Sequence, residues 1–138
     1  MKLIPFIIAL TAVFTSASSV LVKYDPVYDN GAASMDIVAC SDGKNGLETK
    51  GYKTFGSLPS FPNIGAAYAV EGYNSTSCGS CWMLSYFNNT SYVTAIDHAD
   101  NGFVISETAL RNLGGQQAVD AGMIDASATQ VHRRYCGF

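Results

Sequence analysis

Charge is scarce in this sequence. It has 8 Lys and Arg and 11 Asp and Glu among 138 residues, with a formal net charge of −3. That balance excludes the cationic face with which a nucleic-acid binder displaces counterions. Histidine is limited to His98 and His132, tryptophan to Trp82, and proline to four positions. After the first twenty residues no apolar run reaches the eighteen or so that suggest a spanning helix, so no membrane span is expected. Internal repeats, linkers and low-complexity tracts are missing too. What is present is a chain 48% apolar with 13 glycines. That composition excludes a disordered tail, and the length suits one domain.

The first nineteen residues read as an address. Lys2 gives a positive start, Leu3 to Phe14 is a short apolar stretch, and Thr15, Ala17, Ser18 and Ser19 are small. This is the pattern of a secretory signal peptide over 1–19, with cleavage between Ala17 and Val20. The expected mature domain is then 20–138. Losing Lys2 leaves seven basic against eleven acidic residues, a net charge of −4.

Secretion changes how the cysteines read. Cys40, Cys78, Cys81 and Cys136 are an even set in an oxidising route, so two disulfides are expected, with three connectivities open. Cys78-Gly79-Ser80-Cys81 has redox spacing, but that reading belongs to cytosolic thioredoxin-type units. Zinc is disfavoured by two histidines and no second CxxC. If Cys78 and Cys81 each pair outward, the bridges close long loops, for about 4 kcal/mol each in the chain-entropy model. Sequons at Asn74, Asn88 and Asn89 also fit secretion and place exposed turns.

Along the mature chain short strands alternate with turn-rich joints. Strands are expected at Val20–Tyr24, Ser34–Ala39, Ala66–Glu71, Cys81–Phe87 and Ser91–Asp97, and a closing strand at Ala128–Tyr135. Asn88-Asn89-Thr90 would turn the clearest hairpin. A long irregular stretch, 41–63, carries Gly43, Gly46, Gly51, Gly56, Pro59 and Pro62. Helix is expected only near the end. Ser106 would cap it, Gly114-Gly115 would stop it, and a second short turn would end at Gly122. The sum is a mostly β, small-barrel domain with helix as decoration.

Several blocks then resemble the cerato-platanin family of small secreted fungal proteins. They are Tyr24-Asp25-Pro26-Val27-Tyr28-Asp29, Ser34-Met35, Val38-Ala39-Cys40-Ser41-Asp42-Gly43 and Asn45-Gly46-Leu47. They continue with Leu58-Pro59, Phe61-Pro62, Gly65, Asn74-Ser75, Cys78-Gly79-Ser80-Cys81-Trp82, Ile96-Asp97, Gly102-Phe103 and Cys136. The resemblance covers essentially all of 20–138. Tyr73, where many relatives carry Trp, and Gly65-Ala66, in place of Gly-Gly, depart from the pattern. The resemblance implies a six-stranded double-psi β-barrel, related to one domain of plant expansins and to a group of endoglucanases. It also implies the pairs Cys40–Cys78 and Cys81–Cys136. It further implies binding of chitin-type N-acetylglucosamine oligomers, loosening of wall polymers, and provocation of plant defence through a receptor. A hydrophobin is excluded, because that class has an eight-cysteine framework.

A sugar chain needs hydroxyl and amide partners beside flat apolar surface. Tyr24, Tyr28, Asp25, Asp29, Ser34, Ser41 and Asp42 offer both, although tyrosines also pack barrels and acids also cap turns. Asp97 is the sharper candidate. It ends a strong strand, and the family's functionally important aspartate matches this position. In the related barrels that aspartate acts as an acid; a turn acid accepting backbone N–H bonds is the plain alternative. Hydrolysis needs two carboxyls about 5–9.5 Å apart. Only Asp97 is nominated, with Asp25, Asp29, Asp36 and Asp42 candidates by residue type alone. Non-catalytic binding is therefore expected, with no cofactor and no metal. A nuclease pair of His98 and His132 beside Arg133 and Arg134 is disfavoured by the net charge and by the lack of any motif linking them.

Overall fold

A computed structural model describes residues 2–11 and 18–138. Phe14, Thr15 and Ala17 of the expected leader lie outside the described residues. Residues 2–11 are exposed and without regular structure, and β1 (Ser18–Tyr24) follows. Ser18 and Ser19 are already paired in it, opposite Ala128 and Ser127.

Six strands close a barrel. They are β1, β2 (Ile64–Ala67), β3 (Cys81–Tyr86), β4 (Asn89–His98), β5 (Phe103–Ile105) and β6 (Met123–Val131), in the order β1-β5-β2-β4-β3-β6. The β1/β5 and β2/β4 pairs are parallel and the rest antiparallel. Closure leaves no open edge for another chain to pair with. The core takes Val22, Ile64, Leu84, Ile96, Phe103 and Ile105 from the strands and Leu110 and Leu113 from the helix, all buried. Gly65 is required by close approach: a Cβ there would meet the Val104 carbonyl oxygen at 2.2 Å and Ile105 Cα at 2.6 Å.

The central hairpin forms where the aromatic and β-branched residues place it, but its turn comes earlier than expected. Tyr86 pairs with Asn89, so Phe87-Asn88 is a two-residue link, with Phe87 at φ 50°. Asn89 and Thr90 belong to β4.

Four other expectations are corrected. Ser34–Ala39 is not a barrel strand. Ser34 Oγ accepts from the Asp36 amide and starts a 3-10 turn, Met35–Ile37, that buries Met35. Ser34 makes only an isolated bridge to Thr54. The strand expected at Ala66–Glu71 lies at Ile64–Ala67, because the chain turns where the Val70 amide donates to the Ala67 carbonyl. The closing strand lies at Met123–Val131, its inward side chains being Ile124, Ala126 and Ala128. His132 then caps the 3-10 turn Arg133–Cys136. Finally, β5 was not expected at all, being three residues long.

Helix α1 (Glu107–Ala121) begins at Ser106, whose Oγ accepts from the Ala109 amide. It kinks at Gly115 (φ 76°) and ends at Gly122 in the left-handed region. The expected stop and second turn are thus a kink and a cap. The disulfides are Cys40–Cys78 and Cys81–Cys136, 38 and 55 residues apart in sequence. Each closes a loop long enough for about 4 kcal/mol in the entropic account. The first ties the strand-poor stretch between β1 and β2 to the connection just before β3; the second fastens the C-terminus to β3.

Ser106 is fully buried; besides capping α1 it donates its hydroxyl to the Pro62 carbonyl. Ser106→Ala is expected to lower the unfolding free energy by about 1–3 kcal/mol in denaturant titration. An unchanged midpoint would contradict the double role.

Candidate functional site

The last residues of β4 are set by a bulge. Its register against β2 steps from Gly65↔Ala95 to Ala66↔Asp97, leaving Ile96 as the extra residue. A bulge re-aims the side chain that follows it, and here that is Asp97. The Ile96 carbonyl accepts from the Cys40 amide at 3.1 Å, so the 38–40 segment docks on the bulge beside its cystine.

Asp97 is half-buried and accepts three hydrogen bonds. Its Oδ2 accepts from the Tyr28 hydroxyl at 2.9 Å. Its Oδ1 accepts from the Ala39 amide at 3.0 Å and from the His98 amide at 2.9 Å. All three partners donate, which is the arrangement of a carboxylate acceptor. Tyr28 arrives on the 3-10 turn Pro26–Asp29, started by Asp25, whose Oδ1 accepts from the Val27 amide. The Tyr28 ring is buried, 6.1 Å from that of Phe55. Burial first, and the neighbouring Asp97 carboxylate second, push its phenol far above the usual tyrosine range. Tyr28 therefore stays a neutral donor.

The remaining expected site residues divide. Asp29 spends both oxygens on the start of α1, accepting from Glu107 N at 2.7 Å and Thr108 N at 3.0 Å. That is a favourable place for a negative charge. Ser34 caps its own turn. Ser41 accepts from the Glu48 amide through its carbonyl oxygen. Asp42 is exposed beside the Tyr73 hydroxyl, and this hydrogen bond raises the phenol's pKa. The carboxyls of Asp36 and Glu48 also meet; their hydrogen bond raises the pKa of Glu48.

Two parts of this end of the barrel escape residue-type reasoning. The Ala39 amide is one, since main-chain donors carry no sequence signal. The other is a reciprocal clasp in which Asn45 N donates to Asn74 Oδ1 at 2.9 Å and Asn45 Nδ2 to the Asn74 carbonyl at 3.0 Å. Both asparagines stand in recognisable blocks, which was the only clue. The clasp occupies both oxygens of Asn74, the side-chain Oδ1 and the main-chain carbonyl. Asn89 donates its side-chain amide to the Leu113 carbonyl, while Asn88 is exposed at the hairpin tip. Among the described residues no three His, Cys, Asp or Glu side chains cluster as metal ligands, and no helix is long and apolar enough to cross a membrane.

His98 follows Asp97 and is held by two acceptors. The Val70 carbonyl faces Nδ1 at 2.6 Å and Asp100 Oδ1 faces Nε2 at 3.0 Å. Only the doubly protonated ring satisfies both. The backbone contact first, and Asp100 second, raise its pKa. The stabilisation is therefore complete below the unfolded value of about 6.5 and is lost as pH rises through the higher folded value. An NMR titration of His98 should have its midpoint above about 6.5. Asp100→Asn should lower it only in part, because the Val70 contact remains. A wild-type midpoint at or below the free value would contradict this geometry.

The comparisons with known proteins agree with this architecture. The family model described as Cerato-platanin matches residues 20–138. The allergen Asp f 15 homolog of Arthroderma benhamiae is 44% identical over 133 residues, taking in 95% of this chain and 64% of that protein. The chain thus spans just under two thirds of that relative's length. Among solved structures, cerato-platanin 3 from M. perniciosa is 45% identical with a TM-score of 0.84, covering 88% of this chain and all of that one. The solution structure of the fungal elicitor Cerato-Platanin is 36% identical with a TM-score of 0.76, covering 85% of this chain and 96% of that one. With the barrel and both cystines in place, these matches show that the chain belongs to the cerato-platanin family.

Proposed function

We propose that this is a secreted, non-catalytic carbohydrate-binding protein. It takes chitin-type N-acetylglucosamine oligomers and glucan wall polymers in a shallow groove beside Asp97. The observation that carries the reading is the Asp97 carboxylate, half-buried at the barrel end and framed by the 38–40 segment and the turn that presents Tyr28. Asp42 and Tyr73 add an exposed acceptor and an aromatic face at the neighbouring loops. Such a mix of hydrogen-bonding groups and ring surface suits a saccharide.

Binding without hydrolysis fits the carboxyl inventory. Asp29 is committed to α1, Asp36 faces Glu48, and Asp97 already accepts three bonds. A protein that competes for hydrogen bonds within a packed polymer loosens it in the manner of an expansin without breaking a glycosidic bond. An elicitor or effector role toward a plant receptor would use loops outside the groove. One relative is titled a fungal elicitor and another an allergen homolog. The leader is proposed to end at Ala17, so that Ser18 and Ser19 keep their ladder with β6.

The secreted form, its intact mass beginning at Ser18, is expected to release reducing sugar from chitin and cellulose only at the blank level while dispersing the insoluble polymers. Asp97→Ala should weaken binding of an N-acetylglucosamine hexamer about tenfold or more, roughly 1.4 kcal/mol. Responses of plant tissue should persist in that variant. Robust, Asp97-dependent sugar release would overturn the non-catalytic reading, and unchanged hexamer affinity would overturn the groove.

A further inference from the structure

A second site stands apart from Asp97, toward the other end of β4. An open cleft of about 430 Å3 lies among the start of β4, the 59–63 loop and the C-terminal 3-10 turn, walled in part by Ser60, Asn63, Ser91, Tyr92 and Tyr135. Tyr92 and Tyr135 form a stacked slab, with ring centroids 5.3 Å apart and planes 20° apart. Tyr135 nevertheless keeps 49% of its surface exposed. These two rings belong to segments 43 residues apart in sequence, brought together by the Cys81–Cys136 bridge beside them.

Asn63 contributes an unmet demand. Its Oδ1 is buried in the wall and has no hydrogen-bond partner among the described residues. Ser60 does not relieve it. The Ser60 hydroxyl donates to the Asn63 main-chain carbonyl and shares a bond with Thr94 Oγ1. A buried acceptor left unpaired is costly. Asn63 lines the cleft, and its terminal amide torsion is soft.

The lining decides the ligand class. No charged side chain walls the cleft, and the Arg134 guanidinium lies 5.2 Å from the centroid of the Tyr135 ring. A phosphate or carboxylate would find at most this one guanidinium, already seated over the Tyr135 ring, and not the cluster of charged partners that makes such contacts strong. The wall is too polar and too open for a purely apolar molecule. A neutral pyranose fits, with ring C–H groups against tyrosine and hydroxyl or acetamido groups toward Asn63 and Ser91.

We infer that this cleft is a second saccharide subsite, for neutral sugar residues of a wall-type polysaccharide. It deepens the binding reading given above and rests on it for the ligand class. Tyr92 precedes Asp97 by five residues of strand, roughly 16 Å. A polymer, or two neighbouring chains of one, engages both sites and gains from the raised effective concentration of the second contact.

The test is an amide-resolved NMR titration of the mature protein with N-acetylglucosamine hexamer and, separately, cellohexaose. The expected result is a second cluster of shifts at Ser91, Tyr92, Tyr135 and the Asn63 side-chain amide. Tyr135→Ala and Ser91→Arg should each weaken that cluster about tenfold while leaving shifts around Asp97 in place. Ser91 is half-exposed, so its variant blocks the cleft even if removing Tyr135 disturbs the C-terminal turn. Shifts confined to Asp97 and its neighbours would overturn the subsite and leave the groove standing. Shifts at the cleft alone would uphold the subsite and remove the groove. Silence with both sugars, or a cleft response that neither variant alters, would overturn the subsite.

Discussion

One carboxylate organises the end of the barrel that carries the proposed groove. Asp97 collects donors from two segments distant in sequence, the hydroxyl of Tyr28 and the amide of Ala39, and from its neighbour's amide at His98. A hydrogen bond to a charged group contributes about 1.5–3 kcal/mol when well shielded, and less where water reaches the carboxylate as it does here. The consequence is geometric more than energetic. Without Asp97 the buried Tyr28 hydroxyl and the Ala39 amide both lose their acceptor, and the two segments lose their common reference point. Affinity and local order at this end of the molecule are therefore coupled through the same side chain.

The constraint works because the surroundings are already pinned. The stretch between β1 and β2 contributes no barrel strand, yet it buries Met35, Leu47 and Phe55 against the barrel. Cys40–Cys78 fixes it next to the bulge at Ile96. Scarcity of charge fits this design. The described ion pairs are surface contacts, His98–Asp100 and Arg111–Glu107, and such pairs contribute little. Apolar burial and two covalent links carry the fold instead, as expected for a small disulfide-bonded domain.

Much of the architecture was legible because its signals are local. The β3/β4 pair shows in its aromatic and β-branched run and the start of α1 in Ser106, whereas its end was placed at Gly114-Gly115, where the helix only kinks before Gly122 caps it. The strand-poor stretch shows in its glycines and prolines. The misreadings have physical causes. Ser34–Ala39 has the alternation of a strand, but Ser34 bonds to its own backbone and wins the segment for a tight turn. β5 is too short for any period, and β6 was displaced because its inward residues include the small Ala126 and Ala128. The connectivity of the cysteines came from resemblance, not from spacing. For Asp97 the plain alternative, an acid accepting backbone N–H bonds, matches the Ala39 and His98 amides, whereas the Tyr28 hydroxyl, 69 residues away, left no sequence signal. Asp29 illustrates the reverse: by type it suits a sugar, and in space it caps a helix that begins 78 residues later.

The most direct test of the central claim is native-state amide hydrogen exchange, comparing wild type with Asp97→Ala. The account predicts protected amides at Ala39 and His98 in the wild type. In the variant these two, and the segments around Tyr28 and Ala39, should exchange faster by an order of magnitude or more, about 1.4 kcal/mol or greater. The amides of Val22 and Leu84, deep in the barrel ladder, should remain slow in both. Fast exchange at Ala39 and His98 in the wild type, or equal protection in both proteins, would contradict the claim that Asp97 holds this end of the barrel together.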